Sequence, residues 1–419
     1  MVWDMGKLIE LRCPKCRSVT ASTTEFRCPA CHSVREAVVA IEHLSRDDFA
    51  RLRQSRDLSI WRWFEFFPLA SRSSIVSLGE GSTPLVPAPR LGARIGVANL
   101  YLKNDTVLPT GSLKDRSNSV GMSVGKELGF TTASVISTGN AAASVAAYAA
   151  AAGMKSVVMV PTGTATSKII QAHAYGATVI VIAGRFDYEV AELYKNAVTE
   201  FGWYDCVSSN PYRVGKKSYA YELVDQLDGM PVDWVIHPTA GGTGLVCMWQ
   251  GFKEFLALGW IDHAPKLVAA QSAAAAPFVA AMAKGSMTIE AVDARETVAE
   301  SIQVGNPSSL GDRALAALRQ SQGTAVALSD GEILEAQSQI ARLTGIFAEP
   351  AAATSVAAAE KMRASGAIQS NDVVVCNLTG HGLKQPQAIH VSEKEFAPLA
   401  PSLAALRERL RKSDDAMPT

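Results

Sequence analysis

Short apolar runs recur through the chain at residues 133–137, 156–160, 178–182, 234–237, 266–270 and 373–378. Each is apolar along its length instead of alternating with polar residues, the pattern of strands buried on both faces. Alanine-rich helical stretches separate several of them, at 141–152, 166–175 and 188–201. Continuous apolar strands joined through helices predict an α/β protein with parallel sheets covered on both sides. Glycine and polar residues follow most of the runs, so a ligand is expected at the carboxyl ends of the strands. Upstream, residues 46–67 are charged and then aromatic, with Trp61, Trp63, Phe64, Phe66 and Phe67 crowded together. They predict a helix whose aromatic end docks a small N-terminal domain onto the main body. A last helix is expected at 402–411, before a polar end.

The first forty residues do not fit this rhythm. Cys13-Pro-Lys-Cys16 and Cys28-Pro-Ala-Cys31 are two knuckles separated by eleven residues. Four thiolates at this spacing can surround one tetrahedral Zn²⁺ at about 2.3 Å. The segment holds little apolar material and needs a staple to fold. With all four positions filled by cysteine, the expected metal is structural zinc, with no open coordination position for catalysis. Arg17 and His32 stand where such knuckles usually carry glycine, and a ribbon that persists without metal is the competing reading. Cys206, Cys247 and Cys376 lie apart and are expected to pack as small core residues.

Charge narrows the range of functions. Forty Lys and Arg balance forty Asp and Glu, so the formal charge is zero. A dedicated binder of nucleic acid or of an anionic membrane would need a basic face. Hydrophobic residues make up 48% of the 419 positions, enough for a full core. The most apolar stretch, 141–154, is shorter than the ~20 residues that cross a bilayer, and the first residues do not follow the layout of a secretory signal. The expectation is a cytoplasmic enzyme.

Four loops can carry chemistry. The first is Thr110-Gly111-Ser112-Leu113-Lys114-Asp115-Arg116, and the second Ser137-Thr138-Gly139-Asn140-Ala141, which opens an Ala-rich helix. Free backbone N–H groups at a helix start suit a carboxylate or a phosphate, although a simple helix cap fits the same letters. The third, Thr239-Ala240-Gly241-Gly242-Thr243-Gly244, lies between a strand and a helix. It can cradle a phosphate, but it lacks the endings of a nucleotide P-loop and of a dinucleotide fingerprint. The fourth is Thr379-Gly380-His381-Gly382-Leu383-Lys384.

In this order the four loops resemble the fold type II pyridoxal-phosphate enzymes, and among them the threonine synthase family. The phrases Trp61-Arg62, Leu78-Gly79-Glu80-Gly81-Ser82-Thr83-Pro84-Leu85, Asn210-Pro211-Tyr212-Arg213, Ile302-Gln303-Val304-Gly305-Asn306-Pro307 and Gly345-Ile346-Phe347-Ala348-Glu349-Pro350-Ala351 are similar to that family as well. The cysteine ribbon resembles an N-terminal addition found in one branch of it.

The resemblance implies a tryptophan synthase β-like fold of two doubly wound parallel-sheet domains behind the ribbon. The expected division is 1–45 for the ribbon and its connector, 46–116 with 202–419 for a larger cofactor-binding domain, and 117–201 for a smaller mobile domain. It implies that Lys114 carries pyridoxal phosphate as a Schiff base and acts as the base at Cα. Gly241, Gly242, Thr243 and Gly244 would hold the cofactor phosphate, with the hydroxyls of Thr239 and Thr243 as further donors. Asn140 would meet the ring's 3′ oxygen and Thr379 its nitrogen. The substrate would lie against Ser112, Ser137, Thr138, Gly139 and Ala141, with Arg116, Arg213 and Lys216, and also Arg185 and Lys217, as candidates for its phosphate.

The implied reaction converts O-phosphohomoserine and water to threonine and phosphate in a homodimer. Leu108, Leu113, Ser117, Ala240 and the run Gly215-Lys216-Lys217-Ser218 depart from the family's usual letters. A related replacement or elimination therefore stays open, such as cysteate synthesis from O-phosphoserine or dehydration of threonine or serine.

Overall fold

The computed structural model describes residues 7, 9–21, 24–183, 189–208, 210–389 and 396–414. Three sheets organise residues up to Gln385, which form one compact unit. The first is the ribbon: β1 (Ile9–Arg12) lies between β2 (Val19–Ala21) and β3 (Glu36–Val39), all antiparallel.

The largest sheet uses β4 (Leu85–Pro87), β5 (Asn99–Asn104), β10 (Trp234–Pro238), β11 (Lys266–Ser272), β12 (Thr324–Leu328) and β13 (Val373–Leu378), in the order β12-β11-β10-β13-β5-β4. All neighbours run parallel except β4, which pairs antiparallel with β5 at the edge. The third sheet orders β6 (Thr132–Ile136), β7 (Lys155–Pro161), β8 (Thr178–Ile182) and β9 (Tyr204–Asp205) as β8-β7-β6-β9, again parallel. This is the expected α/β architecture, and all six expected strands are present to within two residues at their ends. The strands not expected, among them β4, β5, β9 and β12, are short, partly exposed or carry polar residues that blur the apolar run.

Strand order fixes where a ligand can sit. The chain leaves β10 toward β11 and β12 on one side, while β13 lies on its other side, so the order reverses between β10 and β13. In parallel sheets, crevices open at the carboxyl ends beside such reversals. The third loop follows β10 and the fourth follows β13. A similar reversal lies between β6 and β9, and the second loop follows β6. The helix behind that loop, Asn140–Ala152, is alanine along most of its length. Small side chains let it lie close to β6, β7 and the helix Lys114–Glu127.

The segment 46–67 is two elements, not one helix. Arg46–Arg53 is capped by Ser45 and Asp48 in a capping box, and a separate 3₁₀ segment covers Ile60–Phe66. Ser59 divides them, its hydroxyl accepting the Trp61 N–H at 3.1 Å while donating to Asp57 at 2.7 Å. The aromatic end is buried as expected. Trp61, Trp63, Phe64, Phe66 and Phe67 share one core with Leu11, Ala37, Val39 and Ile41 of the ribbon and its connector and with Phe252 and Phe255 of the body. Phe26 adds a second anchor, edge-on to Tyr204 at 5.9 Å and to Tyr212 at 5.8 Å. The last unit, Pro386 onward, carries the helix Leu403–Asp414 where 402–411 was expected. No helix among the described residues is long and apolar enough to cross a membrane.

Both cysteine knuckles close alike. Arg17 N–H donates to Cys13 O at 3.0 Å and His32 N–H to Cys28 O at 2.8 Å. The closing residues are left-handed, with φ of 62° at Arg17 and 56° at His32. A side chain there is strained by about 1–2 kcal/mol, partly offset by the extra unfolded-state freedom that glycine would bring. Arg17→Gly and His32→Gly are each expected to raise ribbon stability by roughly 0.5–1 kcal/mol. Denaturant titration with a ribbon-specific probe checks this, and a loss of stability would contradict the strain.

Candidate active site

Lys114 sits where two loops are stitched together. Leu113 N–H donates to Thr379 O, and His381 N–H to Gly111 O, both at 2.9 Å. Asp115 turns its carboxylate back to accept the Thr110 N–H at 2.7 Å and the Thr110 hydroxyl at 2.6 Å. Gly111 permits the turn with φ 77°. Ser112 is buried and its hydroxyl accepts the Lys114 N–H at 3.4 Å. The lysine therefore starts its helix from a fixed platform and enters a cavity of about 200 Å³.

The opposite wall is the loop after β10. Gly242 takes φ 91°, and a Cβ there would stand 2.4 Å from the Ala314 Cβ. At Gly244 a Cβ would stand 2.0 Å from His237 Nε2. Glycine is required at both positions by packing. At Gly241 the nearest atom would be Leu310 Cδ2 at 3.8 Å, so there the loop stays open. The helix Thr243–Ala257 has no side-chain cap. Its first N–H groups carry the positive end of the helix dipole and suit a phosphate. The helix Asn140–Ala152 is likewise uncapped by any side chain at Gly139, which suits the carboxylate expected there.

Glu349 was not among the residues expected from the sequence. It lines the cavity, is 2% exposed, and accepts Asn140 Nδ2 at 3.0 Å and the Ser301 hydroxyl at 3.1 Å. Burial pushes its carboxyl upward, opposed by Asn140 and Lys114. Gly380 makes room for it, since a Cβ there would come within 2.4 Å of Glu349 Oε1. The sequence signal was the Glu-Pro pair at a helix start, noted for family likeness and not for chemistry. His237, also unforeseen, lies buried under the glycine loop with Nδ1 3.0 Å from Asn377 Nδ2. Burial, then Lys216 and Lys114, hold its pKa well below the ordinary value, so it is neutral.

The structure brings Lys114, Ala141, Arg213, Lys216, Thr239, Gly241, Gly242, Thr243, Gly244 and Thr379 to this one cavity. Ser137, Thr138 and Gly139 are half-buried on the neighbouring loop, and Asn140 reaches the cavity through Glu349.

Three expectations change. Arg116 is fully buried and faces away, held by Asp105 at 2.8 Å, Glu222 at 2.5 Å, Ser218 at 2.7 Å and Thr83 at 2.8 Å. A guanidinium so saturated cannot also take a substrate phosphate. Lys217 is likewise engaged, by Phe66 O at 2.7 Å and Glu254 at 2.6 Å. The Thr239 hydroxyl donates to His237 O at 2.7 Å, so its proton is not available to a cofactor phosphate. Arg185 lies outside the described residues.

Arg213 and Lys216 remain as basic groups beside Lys114. Arg213 gives Nη1 to Val207 O at 2.7 Å. Lys216 forms no ion pair with a carboxylate among the described residues, and burial, then Lys114 and Arg213, lower its pKa well below the ordinary value.

Near the ribbon's tip, the Sγ atoms of Cys13, Cys16, Cys28 and Cys31 all lie within 4.8 Å of one another. The closest pairs are Cys13 to Cys31 at 3.3 Å and Cys16 to Cys28 at 3.4 Å. These are too long for disulfides, whose S–S length is about 2.05 Å. Tetrahedral zinc at about 2.3 Å would set them roughly 3.8 Å apart. The residues fit the ion.

A lysine opposite a glycine-rich helix start, at the carboxyl ends of parallel strands, defines the class of fold type II pyridoxal-phosphate enzymes. Residues 76–380 match the family described as pyridoxal-phosphate dependent enzyme. Threonine synthase of Methanocaldococcus jannaschii is 42% identical over 81% of this chain and 84% of its own. That of Methanosarcina acetivorans is 39% identical over 84% and 86%, and that of Synechocystis 38% over 77% and 81%. The chain belongs to the pyridoxal-phosphate dependent enzymes and, within them, to the threonine synthase family. Solved structures share the fold at lower identity. Maize serine racemase gives a TM-score of 0.63 at 21% identity over 80% of this chain and 93% of its own. The processed threonine deaminase isoform 2 of Solanum lycopersicum gives 0.62 at 20% over 75% and 81%.

Burial, then Arg213, lower the Lys114 amine to about 8, while Glu349 holds it up. In cofactor-free protein, labelling of Lys114 by an amine reagent should rise with pH around a midpoint near 8. Glu349→Gln removes a negative charge and should move that midpoint lower still. Mass-spectrometric labelling rates measure both, and a midpoint near the ordinary lysine value would contradict the burial argument.

Proposed function

We propose that this chain makes threonine and phosphate from O-phosphohomoserine and water. The observation that carries the reading is the placing of Lys114 between an uncapped helix start and the basic side chains of Arg213 and Lys216, in one cavity. Bound at Lys114, pyridoxal phosphate supplies an electron sink for the pair left when a proton departs from Cα.

The chain's own residues do the rest. Backbone N–H groups of Gly242 to Gly244 and the Thr243 hydroxyl would hold the cofactor phosphate. Thr379 would meet the ring nitrogen with a neutral hydroxyl, which cannot keep that nitrogen charged as an aspartate would. A weaker sink favours elimination and replacement over transamination. Asn140, steadied by Glu349, would face the ring oxygen, and the N–H groups of the 138–141 loop would hold the substrate carboxylate. With its pKa near 8, Lys114 can take the Cα proton and return it at neutral pH.

Across the reaction, the bond from Cγ to the phosphate oxygen breaks, Cβ gives up one proton and Cγ gains one, water supplies the hydroxyl at Cβ, and its remaining proton leaves on the phosphate. Arg213 offers charge, and Lys216 a hydrogen-bonding amine, to the departing dianion. A substrate whose leaving group is only hydroxide would not need a buried guanidinium beside a second basic side chain, so the phosphorylated substrate is preferred.

Four finer readings rest on the resemblance together with the features described. The four cysteines hold a structural zinc, supported by their mutual distances. The segment 117–201 moves as a smaller domain over the substrate, supported by the separate sheet it contributes to. The enzyme works as a homodimer, and in the cytoplasm, as the resemblance and the sequence imply.

A substrate panel tests the main reading. Phosphate release should be rapid from O-phosphohomoserine and yield threonine, with little release from O-phosphoserine. No threonine from the first substrate would sink the proposal. Lys114→Ala should fold yet lose covalent cofactor attachment and turnover, and unchanged turnover would refute its role. Elemental analysis should find one zinc per chain, and removal by chelator should expose the ribbon to protease while the body stays folded. Absence of metal in freshly isolated protein would contradict the ribbon's role.

A further inference from the structure

A second cavity, of about 560 Å³, lies between the ribbon and the body. Lys15, Arg27 and Arg35 line it from the ribbon, and Arg213 and Arg313 from the body; Glu36 and Asp312 are the carboxylates in its wall. Glu36 is engaged by Arg313 at 2.5 Å, and Asp312 accepts the Ile289 N–H at 2.7 Å.

Arg35 has no carboxylate partner among the described residues. It is 4% exposed, and its Nε and Nη1 lack any hydrogen-bond partner there. The Nε atoms of Arg213 and Arg313 lack one too. A buried guanidinium without a counter-charge is costly, because desolvation is not repaid by any attraction. Cations held this way around a cavity are compensated by an anion that enters it. Guanidinium forks match the oxygens of phosphate.

Two facts select phosphate. The cavity shares Val207, Arg213 and Thr243 with the cofactor cavity, so Arg213 faces both. The proposed reaction also releases phosphate beside Arg213.

We propose that the cavity between ribbon and body binds a phosphate dianion, with Arg35 as its main ligand and Arg213 shared with the active site. This rests on the proposed function for its choice of anion. The ribbon would then be more than a structural addition, since Arg35, the residue just before its strand β3, lines the cavity. The ion can come from the active site as released inorganic phosphate, or from solution as a phosphomonoester effector, with the same chemistry in both cases.

Holoenzyme with its cofactor fixed by borohydride keeps the glycine loop filled, so an added anion reports on other sites. Inorganic phosphate and glycerol phosphate are titrated separately by calorimetry at low ionic strength. Binding of phosphate alone supports an exit for product, and binding of both supports a phosphomonoester pocket. In either case Arg35→Gln should weaken binding at least tenfold, with cofactor absorbance and zinc content unchanged. Arg35→Lys keeps the charge and guards against misfolding; it should lose less. If neither anion binds, or if both variants bind as tightly as the parent, the proposal is overturned. Phosphate binding through Arg35 in a chain that makes no threonine would remove the functional reading and leave the site standing.

Discussion

The position of the reactive lysine depends on a charge cluster two residues beyond it. Arg116 lies without solvent exposure between Asp105 and Glu222, and Lys103 pairs with Glu222 at 2.6 Å. Two positive and two negative charges balance, and Thr83, Ser218 and Gln226 take the remaining hydrogen bonds. Burial alone would raise the Glu222 carboxyl, but Arg116 and Lys103 outweigh it and hold the pKa at about 2. Such a cluster is not a large source of stability, because desolvation consumes most of the attraction. Removing one member is another matter, costing about 3–5 kcal/mol by stranding the others. The cluster thus fixes the helix Lys114–Glu127 against β5 and the helix Ser218–Gln226 in one arrangement.

Given that anchor, the site is made largely of backbone. Two helices begin at it without side-chain caps, leaving N–H groups of the kind that suit anions. Glycines at 242 and 244 are demanded by Ala314 and His237 pressing from behind, while Gly380 yields space to the Glu349 carboxylate. Glu349 in turn holds Asn140 and donates its N–H to Gly380 O at 2.9 Å, so the loop after β6 is tied to the loop after β13 through this one residue. Arg213 and Lys216 complete the picture from a third element. Burial first, and then the Arg213 charge, lower the Lys114 amine, while Glu349 holds it up.

How much of this could be read beforehand follows a physical division. The strands 178–182 and 373–378 were legible because each is a local run rich in valine and isoleucine, and β12, whose Thr-Ala-Val-Ala-Leu alternates with alanine and reads as readily as helix, was not. The lysine turn and the glycine loop were legible because their chemistry needs particular residues at adjacent positions. Arg116 was misjudged as a phosphate ligand because a cation's role depends on its partners. Those partners stand at Asp105, nearby in sequence, and at Glu222, 106 residues away.

Sequence alone determined the class of fold and marked the lysine turn, the glycine loop and the four-cysteine knuckles, since each is encoded in contiguous letters with a fixed backbone consequence. Tertiary structure alone decided which charges are spent on each other and which are left for ligands. It withdrew Arg116, Lys217 and the Thr239 hydroxyl from the site, brought Glu349 into it, and left Arg35 facing a cavity. The reason is that desolvation and Coulomb energies depend on distances across the fold, and no local pattern of residues records those distances.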